Sequence, residues 1–390
     1  MSDYPPQMEW PCLPEGVRSR TISVRDLAMH VLEAGDPAAP LILLLHGFPE
    51  LSYSWRDVLL PLSQLGYHVV APDQRGFGRT GPPRVRYEDD RAPYRLINLA
   101  HDIIMLVFAL GHTSAASIIG HDMGSTVAGC CAIARPDLFR TLVLMSTPLP
   151  GVPSPMASAA PGGTHPAVGL ADALTQLDPP KEHYMRYFCS ARADADMAYP
   201  GDPEGLRAFL RAYFHMKSAD WEGNDPHPLP VPGRPEDLAR SLPPYYIMPH
   251  GVGMPDAVRA GAPSAEEIRE KGSRWMPEEV LGVYVSEFGR TGFQGGLNRY
   301  RTMIEEMCGR DWGMSMFVGK KVEMPAMFLA GRKDWGPHQS PGSLERLPKE
   351  VCLNMADEDV VLVEGAGHWV QQERPEEVVK NISRFLKKQI

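Results

Sequence analysis

The sequence predicts an α/β protein whose mostly parallel sheet, flanked by helices, is interrupted by a long insertion. Two observations carry that expectation. Short, continuously apolar runs alternate with helix-like segments up to about residue 148, and the pattern returns from Ala326. Between them the chain's 39 prolines and 36 glycines thicken, from about 148 to about 263, as in Pro148-Leu149-Pro150-Gly151-Val152-Pro153 and His227-Pro228-Leu229-Pro230-Val231-Pro232. The expected division is a core of residues 1–149 and 318–390 around an insertion of residues 150–317.

Taken in order, Thr21-Ile22-Ser23-Val24 and Ala28-Met29-His30-Val31-Leu32 alternate and predict an antiparallel pair at the sheet edge. Leu41 to Leu45, Val69 to Ala71, Ser117 to Ile119, Thr141 to Met145, Ala326 to Ala330 and Val360 to Val363 are too short and too apolar for amphipathic helices. Buried parallel strands look like this. Leu96 to Leu110 is a helix closed by Gly111, and Gly124 to Ala134 is a second that stops before Pro136. Pro375-Glu376-Glu377 opens the last helix and Lys387-Lys388 suits its C-terminus. The proline-rich section 222–263 is not expected to be helical throughout.

Composition excludes several classes. Of 390 residues, 43% are hydrophobic and 22% charged, enough to bury a large core. The 39 Lys+Arg against 48 Asp+Glu leave a net charge of −9 and no basic block, which argues against nucleic acid and anionic membranes as partners. Six cysteines without CxxC spacing (Cys12, Cys130, Cys131, Cys189, Cys308 and Cys352) read as buried free thiols of a reducing compartment. Met1-Ser2-Asp3-Tyr4-Pro5-Pro6 has neither a basic nor an apolar leader region. The apolar run Ile103 to Leu110 falls far short of the ~20 residues of a spanning helix, so a cytoplasmic protein is expected. A homodimer rests on base rates only.

Chemistry concentrates at strand ends. Ser117-Ile118-Ile119-Gly120-His121-Asp122-Met123-Gly124-Ser125 runs from a strand through small-x-Asp-x-small into a helix, a nucleophile elbow with aspartate where a serine hydrolase carries serine. Glycine-sized residues are needed there because the sharp turn presses backbone segments together. A glycine-flanked turn with a capping Asp would look the same in isolation. The break at His46-Gly47-Phe48-Pro49-Glu50 after Leu43-Leu44-Leu45 argues against that reading, since the Phe48 N–H, with that of Met123, could form a two-donor oxyanion hole. His46 is read as a brace of that loop. Later, Asp334 and His368 follow the strands Ala326 to Ala330 and Val360 to Val363, in the order acid then histidine that this arrangement requires.

These motifs resemble the soluble-type epoxide hydrolases of the α/β-hydrolase superfamily over nearly the whole chain. The resemblance includes Asp73-Gln74-Arg75-Gly76-Phe77-Gly78-Arg79-Thr80 and, in the insertion, Gly289-Arg290-Thr291-Gly292-Phe293-Gln294-Gly295-Gly296-Leu297-Asn298-Arg299-Tyr300-Arg301. It implies an α/β-hydrolase fold with an inserted, mainly helical cap domain, and makes Tyr300 the cap tyrosine that hydrogen-bonds an epoxide oxygen. Tyr184-Met185-Arg186-Tyr187-Phe188 is similar to the segment of the second such tyrosine. The resemblance favours Tyr184, while helical spacing would also let Tyr187 face the site. It further implies that Phe48, Pro49, Met123, Trp335 and Trp369 line the substrate pocket, and that no metal or organic cofactor takes part.

An aspartate suits this chemistry because its attack on a saturated, strained carbon yields an ordinary ester. The expected course is an Asp122 alkyl ester, then hydrolysis by water activated by His368 and Asp334, giving a vicinal diol from a small hydrophobic epoxide. Met123 departs from the tryptophan that many relatives and haloalkane dehalogenases carry after the nucleophile, and the arginine of fluoroacetate dehalogenases is also missing. That weakens the runner-up, a dehalogenase-like hydrolase using the same Asp-His-Asp set. A non-catalytic ligand-binding protein of the same fold is the remaining alternative.

Overall fold

The computed structural model describes residues 10–82, 84–152, 166–307 and 313–389. The expectations for Met1 to Pro6, Pro153 and Cys308 lie outside the described residues. A nine-stranded sheet is built from β1 (Arg18–Val24), β2 (Leu27–Ala34), β3 (Leu41–Leu45), β4 (His68–Pro72), β5 (Ala115–His121), β6 (Leu142–Met145) and, after the insertion, three later strands. The insertion carries the short pair β7 (Lys181–His183) and β8 (Ile247–Pro249), and β9 (Val322–Gly331), β10 (Cys352–Asn354) and β11 (Val360–Val363) complete the sheet.

The strand order is β1-β2-β4-β3-β5-β6-β9-β10, with β11 also beside β9. Long β9 serves two partners on one edge, β10 along its first half and β11 from Phe328 to Gly331. β1, β2 and β4 pair antiparallel, and every other pairing is parallel. β3, β5 and β6 are buried at every residue, as strands covered on both faces must be. One cover contains α1 (Arg56–Ser63); the other contains α2 (Leu96–Ala109) and α3 (Met123–Ala134).

The insertion is mainly helical. It contains α4 (Pro166–Leu174), α5 (Tyr184–Phe188), α6 (Ala193–Ala198), α7 (Pro203–Lys217), α8 (Pro235–Ser241), α9 (Met254–Arg259), α10 (Ala265–Glu270), α11 (Glu278–Thr291) and α12 (Gln294–Met307). The proline-rich section therefore mixes α8, β8 and α9 with irregular chain, each of these helices carrying its proline in the first turn, where no N–H is lost. After β9 come α13 (Ser343–Arg346), α14 (Val370–Glu373) and α15 (Pro375–Gln389), which packs beside α1.

Two glycine contacts seat the insertion on the core. A Cβ on Gly76 or Gly295 would strike the other residue's backbone, and one on Gly367 would strike the chain at Ser218 and Ala219. Apolar packing is continuous across the junction, with the Phe48 ring 5.2 Å from Phe188 and 6.1 Å from Phe293. The insertion thereby covers the ends of β3 and β5. Cys130, Cys131 and Cys352 are buried free thiols, whereas Cys189 is only partly buried and Cys12, in the turn ahead of β1, is exposed, both contrary to expectation.

Candidate active site

β5 ends at His121 and α3 begins at Met123, so Asp122 alone makes the turn. Its backbone takes φ +52°, ψ −116°, a conformation strained for any residue with a Cβ. The turn survives because Gly120 and Gly124 leave room: a side chain on Gly120 would collide with the Gly124 carbonyl, and one on Gly124 with the end of β3. The strain lifts the carboxylate out of the turn. Its Oδ1 accepts the Phe48 N–H at 3.0 Å, and its Oδ2 lies 3.5 Å from His368 Nε2. The Met123 N–H, the second expected donor, makes no hydrogen bond with this carboxylate.

Asp334 and His368, brought together from the turns after β9 and β11, are both buried. His368 Nδ1 donates to Asp334 Oδ1 at 3.0 Å, and the same oxygen accepts the Gly336 N–H at 2.7 Å. That leaves Nε2 turned towards Asp122. Burial opposes ionisation of Asp122, but His368 beside it, with Lys217 and His121 behind, holds it well below the usual carboxylate range. Asp334 is likewise lowered, against its burial, by His368.

The histidine loop is anchored from several directions. The His368 N–H donates to the Lys217 carbonyl at 2.8 Å, at the end of α7. Its own carbonyl accepts from His121 Nε2 at 2.7 Å and Ser146 Oγ at 3.2 Å. His121 Nδ1 meets Glu50 at 2.6 Å; with both nitrogens donating, the ring is an imidazolium, raised against its burial by the Glu50 charge. Glu50 also accepts from Gln371, Gln372 and the Gly47 N–H. Glu373 accepts the N–H groups of Gly367, Trp369 and, from the insertion, Ala219, while burial pushes its carboxyl up to about 8.

On the opposite wall stand tyrosines of the insertion. Tyr184 opens α5 and Tyr300 lies on α12, their rings 5.9 Å apart edge to face. The Phe48 ring is 5.5 Å from Tyr300. Neither hydroxyl is hydrogen-bonded among the described residues. Burial raises both above the ordinary phenol value, and the Asp122 charge adds to it. Tyr187 points elsewhere, donating to Asp196 at 3.2 Å under the Arg192 guanidinium. Tyr213, on α7, is a third hydroxyl that feels Asp122.

Pro49 is buried behind Phe48, and Met123 is partly buried against the core. Trp369 packs 4.6 Å from the His368 ring with its Nε1–H tied to the Phe214 carbonyl at 2.8 Å. Trp335 lies against His227 at 5.1 Å rather than against either tyrosine. His46 braces its loop, accepting the Gln74 N–H at 3.0 Å. The sequence reading assigned no role to Glu50, His121, Tyr213, Lys217 or Glu373. His121 and Glu50 stood inside quoted motifs; the other three carry no local signal.

Residues 40–163 match the family model described as alpha/beta hydrolase fold. Epoxide hydrolase A of Mycobacterium tuberculosis (strain ATCC 25618 / H37Rv) is 31% identical, over 94% of this chain and 96% of that protein. Epoxide hydrolase 2 of Siraitia grosvenorii is 30% identical, over 96% and 99%. Among solved structures, an epoxide hydrolase from an endophytic Streptomyces superposes with a TM-score of 0.74 at 28% identity, covering 96% of each chain. Potato (Solanum tuberosum) epoxide hydrolase I gives 0.70 at 27%, covering 95% of this chain and 99% of that one. No helix among the described residues is long and apolar enough to cross a membrane. By sequence and by fold, the chain belongs to the epoxide hydrolase family of α/β-hydrolases.

Proposed function

We propose that this protein hydrolyses small hydrophobic epoxides to vicinal diols through a covalent ester on Asp122. The observation that carries the reading is the Asp122 carboxylate, held by the Phe48 N–H and 3.5 Å from His368 Nε2, opposite the paired Tyr184 and Tyr300, whose hydroxyls have no partner among the described residues. Asp122 attacks a ring carbon, the C–O bond breaks, and Tyr184 and Tyr300 hydrogen-bond the departing oxygen and supply its proton. His368, oriented by Asp334, takes a proton from water, whose oxygen adds to the ester carbonyl. The Phe48 and Met123 amides hold the resulting oxyanion, an interaction worth about 3–4 kcal/mol per donor in comparable sites. Collapse releases the diol, and the protons of the consumed water complete its second hydroxyl and restore the phenol.

In this reading residues 150–317 are the cap that keeps bulk water from the ester, and Phe48, Pro49 and Met123 shape the pocket. A thioether at Met123 gives a departing halide no N–H donor, which favours the epoxide over the alkyl halide. The deciding experiment is a single turnover in heavy-oxygen water. Label should enter Asp122, with unlabelled diol; label in the first-turnover diol would exclude the ester. His368→Gln should let the ester accumulate as a mass adduct of one substrate.

A further inference from the structure

Lys217, the last residue of α7, is only 4% exposed. Its ammonium sits among four rings, 5.4 Å from the centroid of Tyr213, 5.8 Å from Tyr245, 5.2 Å from Tyr246 and 5.4 Å from Trp369. Such rings attract a cation but accept little of its hydrogen-bonding capacity. Among the described residues the ammonium makes no hydrogen bond and no ion pair; the four rings are its contacts. Burial lowers the Lys217 pKa from its ordinary value, and the charges of Asp122, Asp334 and Glu50 oppose that shift. Each is engaged elsewhere: Asp334 with His368, Glu50 with His121, and Asp122 with the Phe48 N–H.

The location of this unspent donor is informative. The Lys217 carbonyl holds the His368 N–H, and the Tyr246 ring of its cage lies 5.3 Å from the Tyr184 ring. The aromatic cage of the ammonium thus adjoins both the His368 loop and Tyr184. A single ammonium in aromatic surroundings balances one negative charge flanked by apolar substituents, and leaves a phosphate dianion half neutralised. We propose that Lys217 is a specificity-determining residue that binds a carboxylate carried by the substrate within a few bonds of its oxirane. The inference rests on the epoxide-hydrolase reading and narrows its substrate class to epoxy acids.

The test compares 3-phenylglycidate with trans-β-methylstyrene oxide, which replaces the carboxylate by methyl. The wild-type protein should favour the acid at least tenfold in kcat/KM. Lys217→Met should erase that ratio chiefly through KM for the acid, and Lys217→Arg should recover part of it. An unchanged ratio in Lys217→Met, or a wild-type preference for the neutral epoxide, overturns the inference and leaves the hydrolase reading standing. A measurement on wild-type protein alone guards against a variant that fails to fold. By calorimetry, 3-phenylpropanoate should bind at least tenfold more tightly than 3-phenylpropanamide, and equal binding overturns the inference. Preferential binding of the acid without turnover of either epoxide would instead sink the hydrolase reading.

Discussion

The two walls of the site are built on opposite rules. On the core side, Asp122, Asp334 and His368 are held by backbone amides, by one another and by a further row of Glu50, His121 and Glu373. On the insertion side, the side chains of Tyr184, Tyr300 and Lys217 are fixed by ring packing, and their terminal polar atoms have no hydrogen-bond partner among the described residues. In the proposed reaction the first wall fixes the geometry of the groups that make and break bonds. The second keeps its donors available there for the oxygen atoms of the reactant.

That contrast can be broken at graded depth. The largest effect belongs to Asp122→Asn, which should reduce turnover by about 10⁴-fold and abolish the mass adduct. Next, Tyr184→Phe or Tyr300→Phe should slow ring opening by about 10–100-fold in rapid-quench experiments, and the double variant by more. Tyr187→Phe, whose hydroxyl serves Asp196, should stay within about threefold of wild type, and a loss equal to that of Tyr184→Phe would reverse the assignment. Glu373→Gln keeps the shape but loses an acceptor for the loop amides, so kcat should fall about tenfold with a modest drop in Tm.

Glu373 also supplies a signature in pH. Its folded value of about 8 lies above the ordinary 4.5, so its contribution to stability is fully present below pH 4.5 and lost as pH rises through 8. Wild-type Tm should therefore decline across that window, and Glu373→Gln should lack this part of the slope. The smallest effect is expected at Asp122. Since its folded value is depressed, its carboxylate persists as pH falls, and the rate of adduct formation should change less than about twofold between pH 7 and 5.

What the sequence disclosed follows the same division. Asp122, Asp334, His368 and the Phe48 amide are set by turns immediately after apolar strands, and both strand and turn are local signals. β10, three residues paired only with the start of β9, offers too short a pattern to read. Tyr184 and Tyr300 were reached through resemblance, because aromatic residues on a helix say nothing of which hydroxyl stays unbonded. Lys217 was beyond reach for a physical reason. From Phe209 to Lys217 every residue of α7 is buried, so Arg211, His215 and Lys217, which ordinarily mark a solvated face, lie inside. Only the docking of α7 against the loop of Gly367 and His368 reveals it.

The bond from the His368 amide to the end of α7, reinforced by Glu373 reaching Ala219, has a consequence for timing. At that corner, closure and readiness are one event. In the proposed reaction, an insertion lifted there would release the imidazole from its register, so an oxirane arriving through such an opening would find the proposed nucleophile without the proposed base that sets the product free.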